Sequence, residues 1–220
     1  QKHFTISNPA SEEEDLKSNK LGDVNAITSI TNFNQIEPKI GNIGYGIKSI
    51  FEYTQSLYIY DTNFCFKIDQ YVVPSLLTED YKGRQNDETI LVIPLNPTAF
   101  NKIVPQLKNI YYPNLFLKTI KIITYTIENQ ITGKVERNIE LEMNYADIKV
   151  EYISFIHQKG DIQLHQRYWI LSRLVKTYPI SIAFYTSDDG FLKPLSPTSA
   201  FCFFQAGENT NLNYFINAPF

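Results

Sequence analysis

Histidine and cysteine are the residue types here that could bind a metal or supply a nucleophile, and the chain has three histidines and two cysteines. His157 and His165 flank a turn predicted at Lys159 and Gly160, so they could approach each other across a hairpin. No third ligand stands at the spacing of a metal site, and two polar histidines on a sheet face are the favoured interpretation. We therefore expect neither a metal nor a cofactor.

The two cysteines, Cys65 and Cys202, stand in matching contexts, FCF and FCFF. In an alternating strand each cysteine points away from the phenylalanines beside it. A disulfide is geometrically possible if the two strands are neighbours. Two buried free thiols are the favoured alternative, because cysteine is among the most buried residue types. Neither cysteine has a histidine close in sequence, so nucleophilic catalysis is not indicated.

Adjacent acidic residues are the remaining candidates for acid and base catalysis. All the pairs fall in predicted turns or loops, where solvation and turn formation already explain them: Glu79 with Asp80, Asp87 with Glu88, and Asp188 with Asp189. The sequence also lacks the G-x-S-x-G pattern of a nucleophile elbow. No catalytic residue is assigned, and the protein is expected not to be an enzyme.

The charge balance argues against a protein whose main task is to bind nucleic acid. The formal net charge is -3 and the pI is about 5.7, whereas proteins that grip phosphate backbones are usually basic. One stretch, residues 162–187, has no acidic residue and contains Arg167, Arg173 and Lys176. A solvated face is the favoured interpretation of these three residues, and a contact with a polyanion is the alternative.

The elements that must position these residues are mainly strands. The segment SLYIYDTNFCFKIDQYVV predicts two strands joined at residues 61–63, and ISIAFYT, SDDG and FLKPL together predict a hairpin with an Asp-Gly turn. A helix is predicted near residues 97–111, with Asn96 as its N-cap and a kink or break at Pro105. A long strand is then expected to turn near Thr132 and Gly133.

The strand after that turn has the clearest alternation in the chain. Polar Glu140 and Glu142 alternate with apolar side chains, so one face is expected in solvent and the other in the core, the latter carrying Val135, Ile139, Leu141 and Met143.

These elements predict a mainly β fold, an antiparallel β-sandwich or jelly roll with one helix near residues 97–111. Residues 1–23 are acidic and predict an arm or linker, residues 24–207 a single β-sandwich domain, and residues 208–220 an extended tail.

The C-terminal segment is rich in aromatic residues and nearly free of charge. SAFCFFQA is expected to be one buried strand, after which the tail exposes Tyr214, Phe215 and Phe220. These three side chains are predicted to dock on a neighbouring chain, and packing of the tail onto its own sheet is the alternative.

The chain begins at Gln1 and contains no apolar run long enough for a membrane span. A first residue other than Met is expected of a mature product released by a signal peptidase or cut from a polyprotein, and equally of a chain trimmed for expression. The expected location is a virion or an extracytoplasmic space, secreted or periplasmic.

The order of the helix and the segment YYPNLFLKTIKIITYTIENQITGKV resembles single jelly-roll capsid proteins of small viruses. The resemblance implies a structural subunit that assembles with copies of itself or with related subunits. Residues 12–15, EEED, stand where many such proteins have a basic arm, so contact between the arm and a genome is not implied. The alternative function is an extracytoplasmic β-sandwich module that binds a ligand or a partner protein.

Overall fold

The computed structural model describes residues 48–218, apart from residues 63, 71, 72, 109, 110, 130, 177 and 197. The acidic arm expected over residues 1–23 lies outside the described residues. The chain divides into two compact units, Gln1–Pro105 and Gln106–Phe220. A single domain over residues 24–207 was expected instead. The division falls within a helix, where no change of composition marks a linker.

The first unit contains a small antiparallel sheet of order β3-β2-β1-β4. A 3-10 helix, Lys48–Glu52, precedes the strands β1 (Ser56–Tyr60), β2 (Cys65–Asp69), β3 (Val73–Leu76) and β4 (Ile90–Val92). Alternate apolar residues of β1 and β2 pack with Phe51 into a core and are fully or almost fully buried: Leu57, Ile59, Phe66 and Ile68. The two strands predicted on either side of residues 61–63 are therefore confirmed.

The predicted helix is confirmed as α1, Pro97–Lys108. Asn96 is its N-cap, because its side-chain oxygen accepts a hydrogen bond from the Ala99 N–H at 2.7 Å and its carbonyl accepts one from the Phe100 N–H at 2.9 Å. The helix runs through Pro105 without a break.

The second unit contains a large sheet of order β12-β11-β13-β9-β8-β7-β6-β5, with β10 paired to β9. The strands β5 to β9 form an antiparallel meander, and β13 returns to lie parallel to β11. The bounds are β5 Ile122–Ile127, β6 Ile131–Tyr145, β7 Ile148–Lys159, β8 Ile162–Val175, β9 Tyr178–Thr186, β10 Leu192–Lys193, β11 Ser199–Cys202, β12 Phe204–Asn209 and β13 Phe215–Asn217.

One face of the large sheet carries the core of the second unit. Tyr168, at the centre of β8, is fully buried and its ring lies 6.2 Å from that of Phe215, centroid to centroid. The other core residues come from the turn before β5 and from β6, β7, β8, β9 and β11: Leu115, Phe116, Val135, Ile153, Phe155, Ile170, Ala183 and Phe201. The protein is therefore mainly β, with two sheets, one of them curled into a half-barrel, consistent with the predicted β-sandwich.

The turn between β5 and β6 differs from the prediction. The left-handed backbone lies at Glu128 and Asn129, and Thr132 and Gly133 belong to β6. The Asp-Gly hairpin between β9 and β10 is confirmed, with Gly190 at φ 84°.

The C-terminal segment also differs. SAFCFFQA is two strands, because the chain reverses at Phe203, whose φ is 64°, and β12 pairs back onto β11. The tail is not extended: β13 lies between β11 and β9, and the Ala218 N–H donates to the Phe201 carbonyl at 3.0 Å. Backbone hydrogen bonds to its own sheet thus satisfy this part of the chain.

Both cysteines lie on strands, as predicted, but neither is largely buried. Cys65 is partly exposed, Cys202 is exposed, and both are free thiols. In β2 the core-facing positions are Phe66 and Ile68, so Cys65 points to the other side of the small sheet.

Candidate interaction surface

A β-bulge divides strand β6 into two parts whose side chains follow different patterns. Ile139 is opposite Ile153 of β7, but Leu141 is opposite Tyr152, so one extra residue of β6 lies between them. A bulge of this kind shifts every later side chain to the other face of the sheet. Leu141 and Met143 therefore lie on the face opposite the core.

This bulge overturns the predicted core positions of Leu141 and Met143. Ile139 precedes the bulge, opposite Ile153, and it too is exposed rather than buried. Val135 is buried as expected, but Ile139, Leu141 and Met143 are 42%, 44% and 44% exposed. Glu140 and Glu142 are exposed, as predicted. The alternation correctly marked one apolar side of the strand, but beyond the bulge that side faces away from the core.

The side of the sheet opposite the core, here called the outer face, carries a continuous row of aliphatic side chains across five hydrogen-bonded strands. In the registers of β6, β7, β8, β9 and β13, successive partners form what we call the aliphatic row: Met143, Val150, Leu171, Ile182 and Ile216. Cross-strand neighbours on one face are in contact distance of each other, so this row is a single apolar ridge.

Two further rows flank this ridge. The aromatic row consists of Leu141, Tyr152, Trp169 and Phe184. The Tyr152 and Trp169 rings are 4.7 Å apart, and the Phe184 ring lies 5.2 Å from Tyr214 of the neighbouring chain segment. The margin row, on the other side of the ridge, consists of Tyr145, Ile148, Arg173 and Ile180.

The apolar side chains of the outer face are only partly buried. Those at the centre of the sheet are half-buried, whereas Tyr145 is 77% exposed and Val175 and Tyr178, beyond the margin row, are 45% and 46% exposed. Together they form a contiguous, partly exposed apolar surface, and large exposed apolar patches on a monomer are often functional. Such a surface is typical of an interaction site.

The charges at the borders of the outer face are balanced. Arg173 Nε is 2.6 Å from Asp147 Oδ2. Arg167 lies beside the aromatic row, with its Nη1 3.4 Å from Asp188 Oδ1 and its Nε 3.8 Å from Glu140 Oε1. These pairings weaken the hypothesis that Arg167, Arg173 and Lys176 contact a polyanion. Lys176 is exposed and follows β8 directly.

The aromatic residues predicted to dock on a neighbour separate in the structure. Tyr214 is half-buried and lies on the outer face beside Phe184. Phe215 is 4% exposed and packs in the core, 5.3 Å from the Phe201 ring, which corresponds to the alternative of packing onto its own sheet and not to docking on a neighbour. Adjacent residues of a strand point to opposite faces, which is why the two differ. Phe220 lies outside the described residues.

The two histidines of the β7–β8 hairpin do not meet. His157 is opposite Leu164 and His165 is opposite Ile156, which places their side chains on opposite faces of the sheet. His157 is buried, its Nε2 is 3.0 Å from Tyr125 Oη, and burial together with Lys159 lowers its pKa. Within the described ranges no three His, Cys, Asp or Glu side chains are placed to hold a metal.

A charged cluster in the first unit orders the loop after β3. Arg84 donates from Nε and Nη2 to both carboxylate oxygens of Asp80, at 2.8 and 2.7 Å, and from Nη1 to the carbonyls of Gln85 and Glu88. The Cys65 thiol lies 3.7 Å from Asp80, and burial raises its pKa. These hydrogen bonds are local to the loop, so the cluster is structural.

The cluster predicts a loop that loosens in acid. The hydrogen bonds from Arg84 lower the pKa of Asp80 to about 2. Because the pKa is lowered in the folded chain, the stabilisation is complete above about pH 4 and is lost as the pH falls towards 2. Hydrogen exchange at the Tyr81 and Arg84 amides should therefore accelerate over this interval beyond the intrinsic rate. In the Asp80→Asn variant these amides should exchange rapidly both at about pH 4 and at about pH 2, the two limits of the interval given above. Protection of the wild-type loop that does not change between these pH values would contradict the prediction.

A shallow cleft of about 280 Å³ lies beside the N-terminus of α1 in the first unit. Its walls include Glu52, Tyr53, Asn96 and Lys102. The volume is at the lower limit of small-molecule sites, which usually enclose most of the ligand.

Searches of protein-family models, curated proteins and solved structures found no match to this chain. In the part of the chain that the structure describes, no helix is long and apolar enough to cross a membrane.

Sequence patterning could have revealed the outer face. In the segment RYWILSRLV of β8 apolar residues occupy adjacent positions, so both faces of the strand are apolar. This pattern is typical of a strand that is covered on both sides. The bulge that adds Leu141 and Met143 to the face has no comparable signal.

Proposed function

We propose that the protein is a non-enzymatic structural subunit that builds a larger protein assembly, as capsid-like shell proteins do. The outer face of the large sheet is the observation that carries this proposal. Its aliphatic row is continuous over five strands, and an exposed apolar surface is stabilised when another surface covers it.

The electrostatics of the outer face favour a protein partner over nucleic acid. A phosphate backbone needs unpaired cations, whereas Arg167 and Arg173 are both within ion-pair distance of carboxylates. The net charge of -3 adds to this preference. A virion is the proposed location, as the resemblance to small-virus capsid proteins implies, and an extracytoplasmic space is the location that belongs to the alternative function.

The experiment that tests the proposal is a mass measurement by light scattering and sedimentation on the full chain. The wild type is expected to form multi-subunit species. Met143→Glu with Tyr145→Glu should shift the mass towards the monomer, because association would bury two unpaired carboxylates. Ile162→Glu is the matched control, since Ile162 is 75% exposed, like Tyr145, but lies at the β7–β8 turn.

The folded state of the variants is checked by far-UV circular dichroism. Residues this exposed contribute little to the monomer fold, so all variants should keep the wild-type spectrum. A wild type that remains monomeric at tens of micromolar, roughly the range in which weak interfaces associate, would contradict the proposal. It would favour the alternative, an extracytoplasmic binding or adhesion module, for which the cleft beside α1 is the supporting observation.

A further inference from the structure

The outer face also has features that identify its occupant. We propose that it packs against the same face of a second copy of this chain, with the two large sheets stacked about a two-fold axis that runs along the aliphatic row. This inference rests on the proposed function and names the partner at its contact surface.

The apolar surface is a single contiguous patch, as a copy-to-copy contact requires. It extends across five hydrogen-bonded strands, from Met143 of β6 to Ile216 of β13. A two-fold contact uses one patch twice, so no second apolar surface has to be found on the chain.

The charges also permit two identical faces to meet. Like charges that face each other across an interface are costly. On this face the Arg173 guanidinium is paired with Asp147, and Arg167 lies between Glu140 and Asp188. Each copy therefore presents a surface of mixed sign on which both arginines lie near carboxylates, whereas a face made for a charged partner would carry a large excess of one sign.

The shapes of the three rows decide the direction of the axis. The aromatic row is bulky, and the margin row has β-branched Ile148 and Ile180 on either side of Arg173. An axis along the aliphatic row places each aromatic row against the partner's margin row, and each aliphatic row against itself. Tyr152 and Phe184 then face the smaller Ile148 and Ile180 of the partner, so side chains of the two faces interdigitate at these positions, as in the core of a β-sandwich.

The same axis gives Arg173 a favourable environment. Arg173 and Trp169 lie on one strand, on opposite sides of Leu171. Rotation about the aliphatic row brings the guanidinium of one copy over the Trp169 ring of the other. A cation over an aromatic face is attracted by the ring, and arginine does this without giving up its carboxylate partner.

Chemical cross-linking tests the contact and its axis. Stacked sheets lie about 10 Å apart, too far for a direct disulfide, so the probe is a bismaleimide of roughly that span. Single cysteines are placed at Met143, Leu171 or Ile162 in a background with Cys65→Ser and Cys202→Ser. Residues on the axis face themselves, so Met143→Cys and Leu171→Cys should give covalent dimers. Ile162→Cys is more accessible than either but lies off the face, and it should not.

The expected difference is large. At about 10 µM protein, dimers should form roughly a hundredfold faster at Met143→Cys and Leu171→Cys than at Ile162→Cys, because a second thiol held within reach has an effective concentration in the millimolar range. A mass measurement shows whether the Met143→Cys or Leu171→Cys substitution itself prevents assembly. A variant that fails this check is replaced by Ile182→Cys, which lies on the same row.

The outcomes separate this inference from the proposed function. If the protein assembles but neither the Met143→Cys nor the Leu171→Cys variant cross-links, the copy-to-copy contact is overturned. The face then belongs to another occupant, and the proposed structural role still stands. Cross-linking at Leu171→Cys without Met143→Cys overturns the axis along the aliphatic row. If the wild type is monomeric and neither cysteine variant cross-links, both proposals are overturned.

Discussion

Replacing Arg137 by methionine is expected to lower the free energy of unfolding of the second unit by about 3–5 kcal/mol. Arg137 and Glu151 lie in the core of the large sheet and are 2% and 1% exposed. Arg137 Nη2 is 3.5 Å from Glu151 Oε2, and its Nε donates to the Leu115 carbonyl at 3.0 Å. Methionine fills much of the same volume but leaves the carboxylate buried without its closest guanidinium.

The partner that remains cannot replace Arg137. Lys149 Nζ lies 3.5 Å from Glu151 Oε1, but it is closer to Glu142, at 2.8 Å, and is partly exposed. Neither carboxylate oxygen of Glu151 has a hydrogen-bond donor among the described residues. The carboxylate therefore depends on the electrostatic attraction of Arg137, and a buried charge without such a partner is strongly destabilising.

Trp169 is the single tryptophan of the chain and lies on β8, so its fluorescence in denaturant follows the unfolding of the large sheet alone. The double variant Arg137→Met with Glu151→Leu is the control. It removes both charges at once and is expected to recover most of the lost stability, since apolar replacements of buried ion pairs are often neutral. A single Arg137→Met variant within about 1 kcal/mol of the wild type would show that the pair is not energetically coupled.

This ion pair lies in a part of the fold that sequence patterning predicts only in outline. The alternation of β6 correctly predicts a strand with one apolar side, and Val135 is in the core as expected. Arg137 occupies the next core-facing position, where a charge is unexpected. Its partner, Glu151, lies on the next strand of the meander, and this proximity follows only from the register of β6 on β7.

The elements that sequence predicted best are those set by neighbouring residues. The N-cap at Asn96 and the Asp-Gly turn at Gly190 depend on side chains and backbone angles within a few positions, and both are confirmed. The bulge between Ile139 and Leu141 depends instead on how two long strands pair. The pairing of these strands cannot be read from neighbouring residues, and it decides that Leu141 and Met143 lie on the outer face.

Gly133 shows how a local signal can mislead. A glycine after a long strand predicts a turn, but the chain turns at Glu128 and Asn129, where residues other than glycine adopt positive φ. Gly133 instead lies within β6, directly opposite Tyr125 of β5. The tyrosine ring covers the glycine, and any larger side chain would occupy the same space as the ring.

Replacing Gly133 by alanine is therefore expected to destabilise the second unit, by about 1–3 kcal/mol as is typical of an overpacked site. A Cβ at Gly133 would overlap the Tyr125 ring at Cζ, closer than non-bonded carbons can approach. The ring can leave only by breaking its 3.0 Å contact with His157 Nε2, which would expose a buried histidine. The lowered pKa of His157 should then rise towards its ordinary value, which an NMR titration measures.

The effect of alanine at Gly133 should change sign when the ring is absent. Alanine loses less backbone entropy than glycine when a strand forms, so in a Tyr125→Ala background the Gly133→Ala change should be neutral or slightly stabilising. Trp169 fluorescence in denaturant measures all four proteins of this cycle on one scale. Equal destabilisation by Gly133→Ala with and without Tyr125 would contradict the prediction, because the cost would then come from the backbone of β6 and not from the ring that lies over it.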